Sequence, residues 1–285
     1  MSTQSGLIEV RDLNINFKAK GETVQAVKSV SLNVQPGEFV SLIGPSGCGK
    51  STLMNAVAGF IKASGGVLTL DGGAIDGPGS DRGVVFQQYS LFPWMTVRKN
   101  VEFGLRMKGV SPSQRETQAR TLLGLAGLLA FENHYPSQLS GGMKQRVGIV
   151  RALATGPQVL LMDEPFGALD SQTRSVMQEI LTNMWQRLRL SVLFITHDIE
   201  EAIFLSDRIY VMTARPGRIK AELKVPLPRP RRAEMMDTPE FTAMLRSIKK
   251  LLREESFAAM GSELSEGGYD GLSMEVGPEG VSHVL

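Results

Sequence analysis

The chain has little cysteine, few aromatic residues, almost no net charge and no long apolar run. Its 285 residues contain a single cysteine, Cys48. One thiol excludes an internal disulfide framework and a cysteine-built zinc site. No stretch reaches about 18 consecutive apolar residues, so none reads as a transmembrane helix. The formal net charge is +2, from 31 basic and 29 acidic side chains, which gives no electrostatic argument for nucleic acid. Met1-Ser2-Thr3-Gln4-Ser5-Gly6 carries no basic stretch followed by an apolar one, so no secretory signal is expected. These absences fit a cytoplasmic protein. Aromatic residues are only 6% against an apolar total of 42%, so the core must be mainly aliphatic.

What is present is a phosphate-binding pattern. The apolar run Phe39-Val40-Ser41-Leu42-Ile43 reads as a buried strand. It is followed by Gly44-Pro45-Ser46-Gly47-Cys48-Gly49-Lys50-Ser51-Thr52 and then by Leu53-Met54-Asn55-Ala56-Val57-Ala58, which reads as a helix. Strand, glycine loop and helix in that order are the context of a P-loop. Glycines let the backbone wrap so that its N–H groups point inward at phosphate oxygens, and the helix adds its positive dipole end. Lys50 is expected to reach the β- and γ-phosphates of ATP, and the Ser51 hydroxyl to ligate Mg²⁺. Val159-Leu160-Leu161-Met162-Asp163 is a second apolar strand, and it ends in an acid. Asp163 is placed to hold Mg²⁺, and Glu164, pointing another way, to polarise the attacking water.

The rest of the chain predicts an α/β protein. Residues 7–17 and 24–34 alternate apolar and polar side chains, as half-buried strands of a small antiparallel sheet do. Between about 96 and 156 the pattern turns helical. Thr96 reads as an N-cap, Pro112 and Ser113 as the start of a second helix with Leu122, Leu123, Leu125 and Leu128 on its apolar side, and Ser140 as the start of a third that reaches Ala154. Ser171 is expected to cap a helix to about Leu190, and Asp198 one ending near Ser206. Buried strands alternating with helices argue a mainly parallel core sheet. The proposed division is an ATP-binding domain at 7–225 with its helical subdomain at 96–156, a linker and amphipathic helix (Phe241 to Arg253) at 226–260, and a disordered tail at 261–285.

Leu139-Ser140-Gly141-Gly142-Met143-Lys144-Gln145-Arg146, lying between the P-loop and Asp163-Glu164, resembles the signature sequence of the ATP-binding subunits of ABC transporters. That family usually has Gln where this chain has Met143. The resemblance implies a P-loop NTPase fold of ABC type, with an N-terminal antiparallel β subdomain and an inserted α-helical subdomain. It also implies a head-to-tail dimer with a second copy, in which Ser140, Gly141 and Gly142 of one subunit meet the nucleotide on the other's P-loop. Gln87 resembles the Q-loop glutamine that senses Mg²⁺ and the attacking water, although Gln88 beside it leaves the assignment open by one residue. Gly167-Ala168-Leu169-Asp170 resembles the D-loop, and His197 the switch histidine that contacts the γ-phosphate. Phe17 matches the aromatic position that stacks on adenine; ordinary strand core is the alternative.

Pro78 to Gln87, Leu91-Phe92-Pro93-Trp94, Asp163 to Asp170 and Thr213-Ala214-Arg215-Pro216-Gly217-Arg218-Ile219 together resemble the nitrate, sulfonate, taurine and bicarbonate importer group. The resemblance implies an ATPase at the cytoplasmic face of the plasma membrane, working with membrane permease subunits and, indirectly, with a periplasmic or lipoprotein solute-binding protein. No nucleic-acid partner is implied. An exporter ATPase, or a soluble ABC ATPase acting on nucleic acid or ribosomes, are the competing readings. Leu91 to Met95 fits either core packing or the groove where a permease helix docks. Arg229, Arg231 and Arg232 read as a solvated linker, and Cys48 as a passive small residue.

Overall fold

A computed structural model describes residues 5–19 and 22–266. The chain opens with two long strands, β1 (Ile8–Ala19) and β2 (Glu22–Val34), and then β3 (Phe39–Ile43) and α1 (Lys50–Val57). β4 (Gly65–Leu70), the two-residue β5 (Gly73–Ala74) and β6 (Arg82–Val85) follow. Three helices come next, α2 (Val97–Met107), α3 (Pro112–Leu125) and α4 (Gly141–Ala154). The chain then alternates through β7 (Val159–Asp163), α5 (Ser171–Leu188), β8 (Ser191–Ile195), α6 (Ile199–Leu205), β9 (Arg208–Met212) and β10 (Ile219–Lys224), and reaches α7 (Pro239–Glu266).

Two sheets result. β2, β1, β4 and β5 form an antiparallel sheet in that order. The larger sheet has the order β10-β9-β3-β8-β7-β6, parallel except for its antiparallel edge strand β10. The alternation of side chains along a strand divides the interior in two. Val40 and Leu42 of β3 and Leu193 and Ile195 of β8 face α1 and the antiparallel sheet. Phe39 and Ile43, with Val192 and Phe194, face α2 to α7. β3 and β8 are buried along their whole length, as a sheet covered on both faces requires. The one polar residue of β3, Ser41, is satisfied in the core by the Ser206 hydroxyl at 2.5 Å.

The expected architecture is present, with four local differences. The cap of α5 is Asp170, not Ser171: its carboxylate accepts from the Thr173 N–H at 2.9 Å, and Ser171 is the first helical residue. Leu125, placed on the apolar side of α3, is exposed, while Leu128 beyond the helix end is fully buried. α7 runs on past Arg253 to Glu266, into the segment expected as tail; the rest of that segment, 267–285, lies outside the described residues.

The fourth difference is larger. The expected solvated linker at Arg229 and Arg231 is in fact packed. Arg229 lies over the Trp185 ring at 4.1 Å, pairs with Asp207 at 2.9 Å and donates to the Leu205 carbonyl at 2.6 Å. Arg231 is buried, and its Nη2 donates to the Ser206 carbonyl at 2.7 Å. Both guanidiniums close the C-terminal end of α6, where free carbonyls attract cations. Arg232 alone stays exposed.

Candidate functional site

β3, an interior strand, delivers the loop 44–49 to the C-terminal end of the sheet, and the loop's path depends on glycine. Gly47 (φ 72°) and Gly49 (φ 105°) are left-handed. A Cβ on Gly49 would lie 2.9 Å from the Ala26 carbonyl oxygen, so the loop packs directly on β2. α1 begins at Lys50 without a side-chain cap, which leaves the N–H groups of its first turn free of intrahelical partners. Lys50 folds back over the loop. Its ammonium donates to the Gly44 and Pro45 carbonyls, both at 2.9 Å, and the residue is buried. Cys48 is also buried, which pushes its thiol pKa up, and its Sγ lies 3.9 Å from Lys50 Nζ. It acts as a small packing residue.

The second half of the site comes from the ends of β7 and β8. Asp163 closes β7, and its Oδ1 accepts from the Ser51 hydroxyl at 3.0 Å. Burial pushes the Asp163 carboxyl up, as does Glu164 beside it; the Ser51 bond and Lys50 act in the opposite sense. Glu164 takes a left-handed backbone (φ 43°) while its N–H bonds to the Ile195 carbonyl at 2.9 Å. Its Oε2 sits 3.1 Å from His197 Nδ1 and 3.5 Å from Gln87 Nε2. Gln87 rather than Gln88 is therefore the glutamine turned to this carboxylate. Gly167 approaches both partners: a Cβ there would lie 3.8 Å from Gln87 Nε2 and 3.9 Å from His197 Cε1.

The phosphate loop and Glu164 share one cleft. Phe17, Ser46, Gly47, Lys50, Ser51, Thr52 and Glu164 line it, together with Val24 and Ala26 of β2. Phe17 is 40% exposed, which sets aside the strand-core alternative and leaves its ring available at the rim. Arg215, which sequence reasoning did not select as a site residue, also lines the cleft. Its only signal was the Arg-Pro-Gly-Arg turn.

Ser140, Gly141 and Gly142 form a separate surface. Ser140 is the N-cap of α4, its hydroxyl accepting from the Met143 N–H at 3.3 Å. A Cβ on Gly141 would lie 3.0 Å from the Tyr89 hydroxyl, and one on Gly142 2.5 Å from the Thr173 methyl. Gly142 thus lies too close to α5 for a side chain, and Gly141 packs against Tyr89 of the loop after β6. None of the three lines the P-loop cleft of its own chain. Asp170 spends its carboxylate on capping α5, and the Thr173 N–H holds its pKa below the usual range.

The segment Leu91 to Met95 divides between its two readings. Phe92 packs against Phe103 at 4.6 Å under the Arg151 guanidinium, and Asn100 ties down its backbone. Trp94 is 70% exposed and borders a second cleft with Met95, Lys99, Phe103, Arg106 and Tyr135.

The donor chemistry fits Mg²⁺. Ser51 and Asp163 bring one hydroxyl and one carboxylate together, the sparse hard-oxygen set with which proteins hold Mg²⁺ when phosphates and water complete the shell. Among the described residues no cluster of three or more His, Cys, Asp or Glu could hold a metal without such help.

The ABC transporter family profile matches residues 27–167. The chain is 50% identical over 252 residues to the nitrate import ATP-binding protein NrtD of a Synechocystis species, covering 86% of this chain and 95% of that protein. It is 49% identical over 253 residues to the taurine import ATP-binding protein TauB of Rhizobium johnstonii, covering 86% and 96%. Among solved structures it resembles a bacterial ABC transporter cassette determined as a dimer, with TM-score 0.69 and 36% identity, covering 76% of this chain and 98% of the other. A dimeric ATP-binding cassette in a post-hydrolysis state with ADP and Pi superimposes with TM-score 0.68 at 35% identity, covering 76% and 98%.

Proposed function

This chain belongs to the ABC transporter family of ATP-binding subunits, and we propose that it hydrolyses ATP to power import of a small oxoanion or sulfonate, such as nitrate or taurine. The observation that carries the reading is the position of Glu164: it lines the P-loop cleft and is held there by His197 and Gln87. Relatives named for nitrate and taurine import support the cargo class.

The chemistry follows from the residues. Phe17 stacks on the adenine, and the loop amides from Gly44 to Thr52 receive the phosphates. Lys50 exchanges its carbonyl partners for β- and γ-phosphate oxygens. Ser51, Asp163 and Gln87 would hold Mg²⁺, which supplies positive charge to the same oxygens. Glu164 accepts a proton from a water whose oxygen attacks the γ-phosphorus; the bond from that phosphorus to the β–γ bridging oxygen breaks, and ADP and phosphate form. His197 orients the Glu164 carboxylate and meets the γ-phosphate.

Ser140, Gly141 and Gly142 lie off the cleft of their own chain, so a second copy placed head to tail supplies them, with Asp170 at the junction between the two sites. Closing the pair around two ATP molecules moves the attached permease subunits, a gating step that also completes each site. Among the described residues no helix is long and apolar enough to cross a membrane. By the same reading the chain sits at the cytoplasmic face of the membrane through its permease partners, with a solute-binding protein acting on the far side.

The test is uptake of labelled nitrate and labelled taurine by cells carrying the native gene or Lys50→Ala. Uptake of one of them that is lost in the variant supports the reading. Uptake of neither by cells carrying the native gene, with a loss of solute export in Lys50→Ala cells instead, would sink it.

A further inference from the structure

Arg215 is a second cation in the cleft beside Lys50, and the fold goes to some length to place it there. It sits on the turn between β9 and β10. That turn is closed on itself by Thr213, whose N–H bonds to the Arg218 carbonyl at 2.9 Å and whose hydroxyl accepts from the Arg218 N–H at 3.0 Å. It is then docked on the cleft wall. Gly217 N–H donates to the Ala26 carbonyl at 3.0 Å, and Lys28 N–H to the Gly217 carbonyl at 2.9 Å, in a parallel bridge to Val27. A Cβ on Gly217 would lie 2.1 Å from the Cys48 carbonyl oxygen. Only glycine lets this turn lie directly against the phosphate loop.

α7 holds the turn from its other side. Glu255 Oε2 accepts from the Ala214 N–H at 3.0 Å, and Glu254 and Glu255 both pair with Lys220 of β10 at 2.8 Å. Arg215 is thus one residue beyond a fixed backbone amide. Its Nη2 lies 3.4 Å from the Gly47 carbonyl, and this long contact to a neutral oxygen engages one of five N–H donors. The side chain is exposed and lines the cleft with Lys50, Ser51 and Glu164.

We propose that Arg215 is a nucleotide-binding residue that supplies a second positive charge to the polyphosphate, carried by a turn that α7 and β2 fix in place. A planar guanidinium suits phosphate oxygens, which accept two parallel N–H bonds from it. The proposal rests on the cleft being the ATP site. It gives the C-terminal helix a part in nucleotide binding, since the Glu255 contact to Ala214 is one of the two supports of the turn that carries the charge.

The experiment compares the full chain with Arg215→Gln, Arg215→Lys and Arg215→Ala for binding of ATP and AMP by titration calorimetry. Glutamine keeps a donor for the Gly47 carbonyl but removes the charge. Arg215→Gln is expected to weaken ATP binding about tenfold, the worth of a charge-assisted hydrogen bond, and to lower the ratio of ATP to AMP affinity. Arg215→Lys should restore most of that ratio, and the deficit of the glutamine variant should shrink as salt is raised. ATP binding by Arg215→Gln equal to that of the native chain, with a loss only in Arg215→Ala, would overturn the proposal in favour of a brace on Gly47. So would equal losses for ATP and AMP. Failure of the native chain to bind ATP would instead overturn the assignment of the cleft.

Discussion

Glu164 Oε2 and His197 Nδ1 meet at 3.1 Å across the ends of two neighbouring parallel strands. Strand register brings them together. Asp163 pairs with Ile195, and the Glu164 N–H extends that ladder by one bond to the Ile195 carbonyl. The left-handed turn at Glu164 then sends its carboxylate to His197 and leaves Asp163 to Ser51. Two adjacent acids are turned in this way to different partners, as the proposed roles of metal ligand and proton acceptor require.

Glu164→Gln keeps the size and hydrogen-bonding reach of the side chain but cannot take a proton. ATP binding should be unchanged and turnover should fall roughly 10²–10⁴-fold. Phosphate release measured beside nucleotide titration decides it; hydrolysis at the native rate would remove Glu164 as the base.

Ser140→Arg places a long cation at the N-cap of α4, on the surface assigned to the second copy's nucleotide. Loss of the cap costs about 1 kcal/mol, which a domain of this size survives. In the Glu164→Gln background, ATP should produce a dimer by light scattering, and adding Ser140→Arg should leave a monomer that still binds nucleotide. A dimer that persists would count against the composite site.

Stability should depend on pH through Glu201. Its carboxyl is buried between α5 and α6, where Gln178 Nε2 donates to it at 3.2 Å, and burial pushes its pKa up to about 7. A carboxyl whose folded pKa is raised binds its proton more tightly in the folded chain. The stabilisation is therefore full below the ordinary glutamate range and is lost as pH rises toward 7, a fall on the order of 3 kcal/mol. Urea midpoints from pH 5 to 8 should show this decline, and Glu201→Gln should flatten it. The same slope in both proteins would assign the effect elsewhere.

Arg229→Ala removes the stack on Trp185 and takes one donor from Asp207 Oδ1 and one from the Leu205 carbonyl, while Asp207 Oδ2 keeps the Phe39 N–H. A loss of roughly 1–2 kcal/mol is expected. An unchanged urea midpoint would mean that the residue behaves as the solvated linker its sequence suggests.

The phosphate site was readable from sequence because its signals are local. A buried strand, a glycine loop and a helix must be contiguous, and Asp163 follows an apolar run directly, whereas His197 entered only through the family resemblance. The features that escaped depend on partners far along the chain. Arg229 and Arg231 look solvated until α5 brings Trp185 and the end of α6 brings Ser206. Arg215 reaches the cleft only because the turn after β9 docks on Val27, a contact without a sequence pattern of its own. At α5 the ambiguity was of another kind: Asp170 and Ser171 are both good caps, and the backbone's extended conformation at Asp170 decides between them.

Lys50 carries a last consequence. Its ammonium is withdrawn from water yet rests on two neutral carbonyl oxygens, which solvate a charge less completely than an anion does. Any anion that reaches it relieves a cost already present in the folded chain and absent from the unfolded one. Ligand and fold are thereby coupled: nucleotide that binds the folded chain and not the unfolded one raises the melting temperature as its concentration rises.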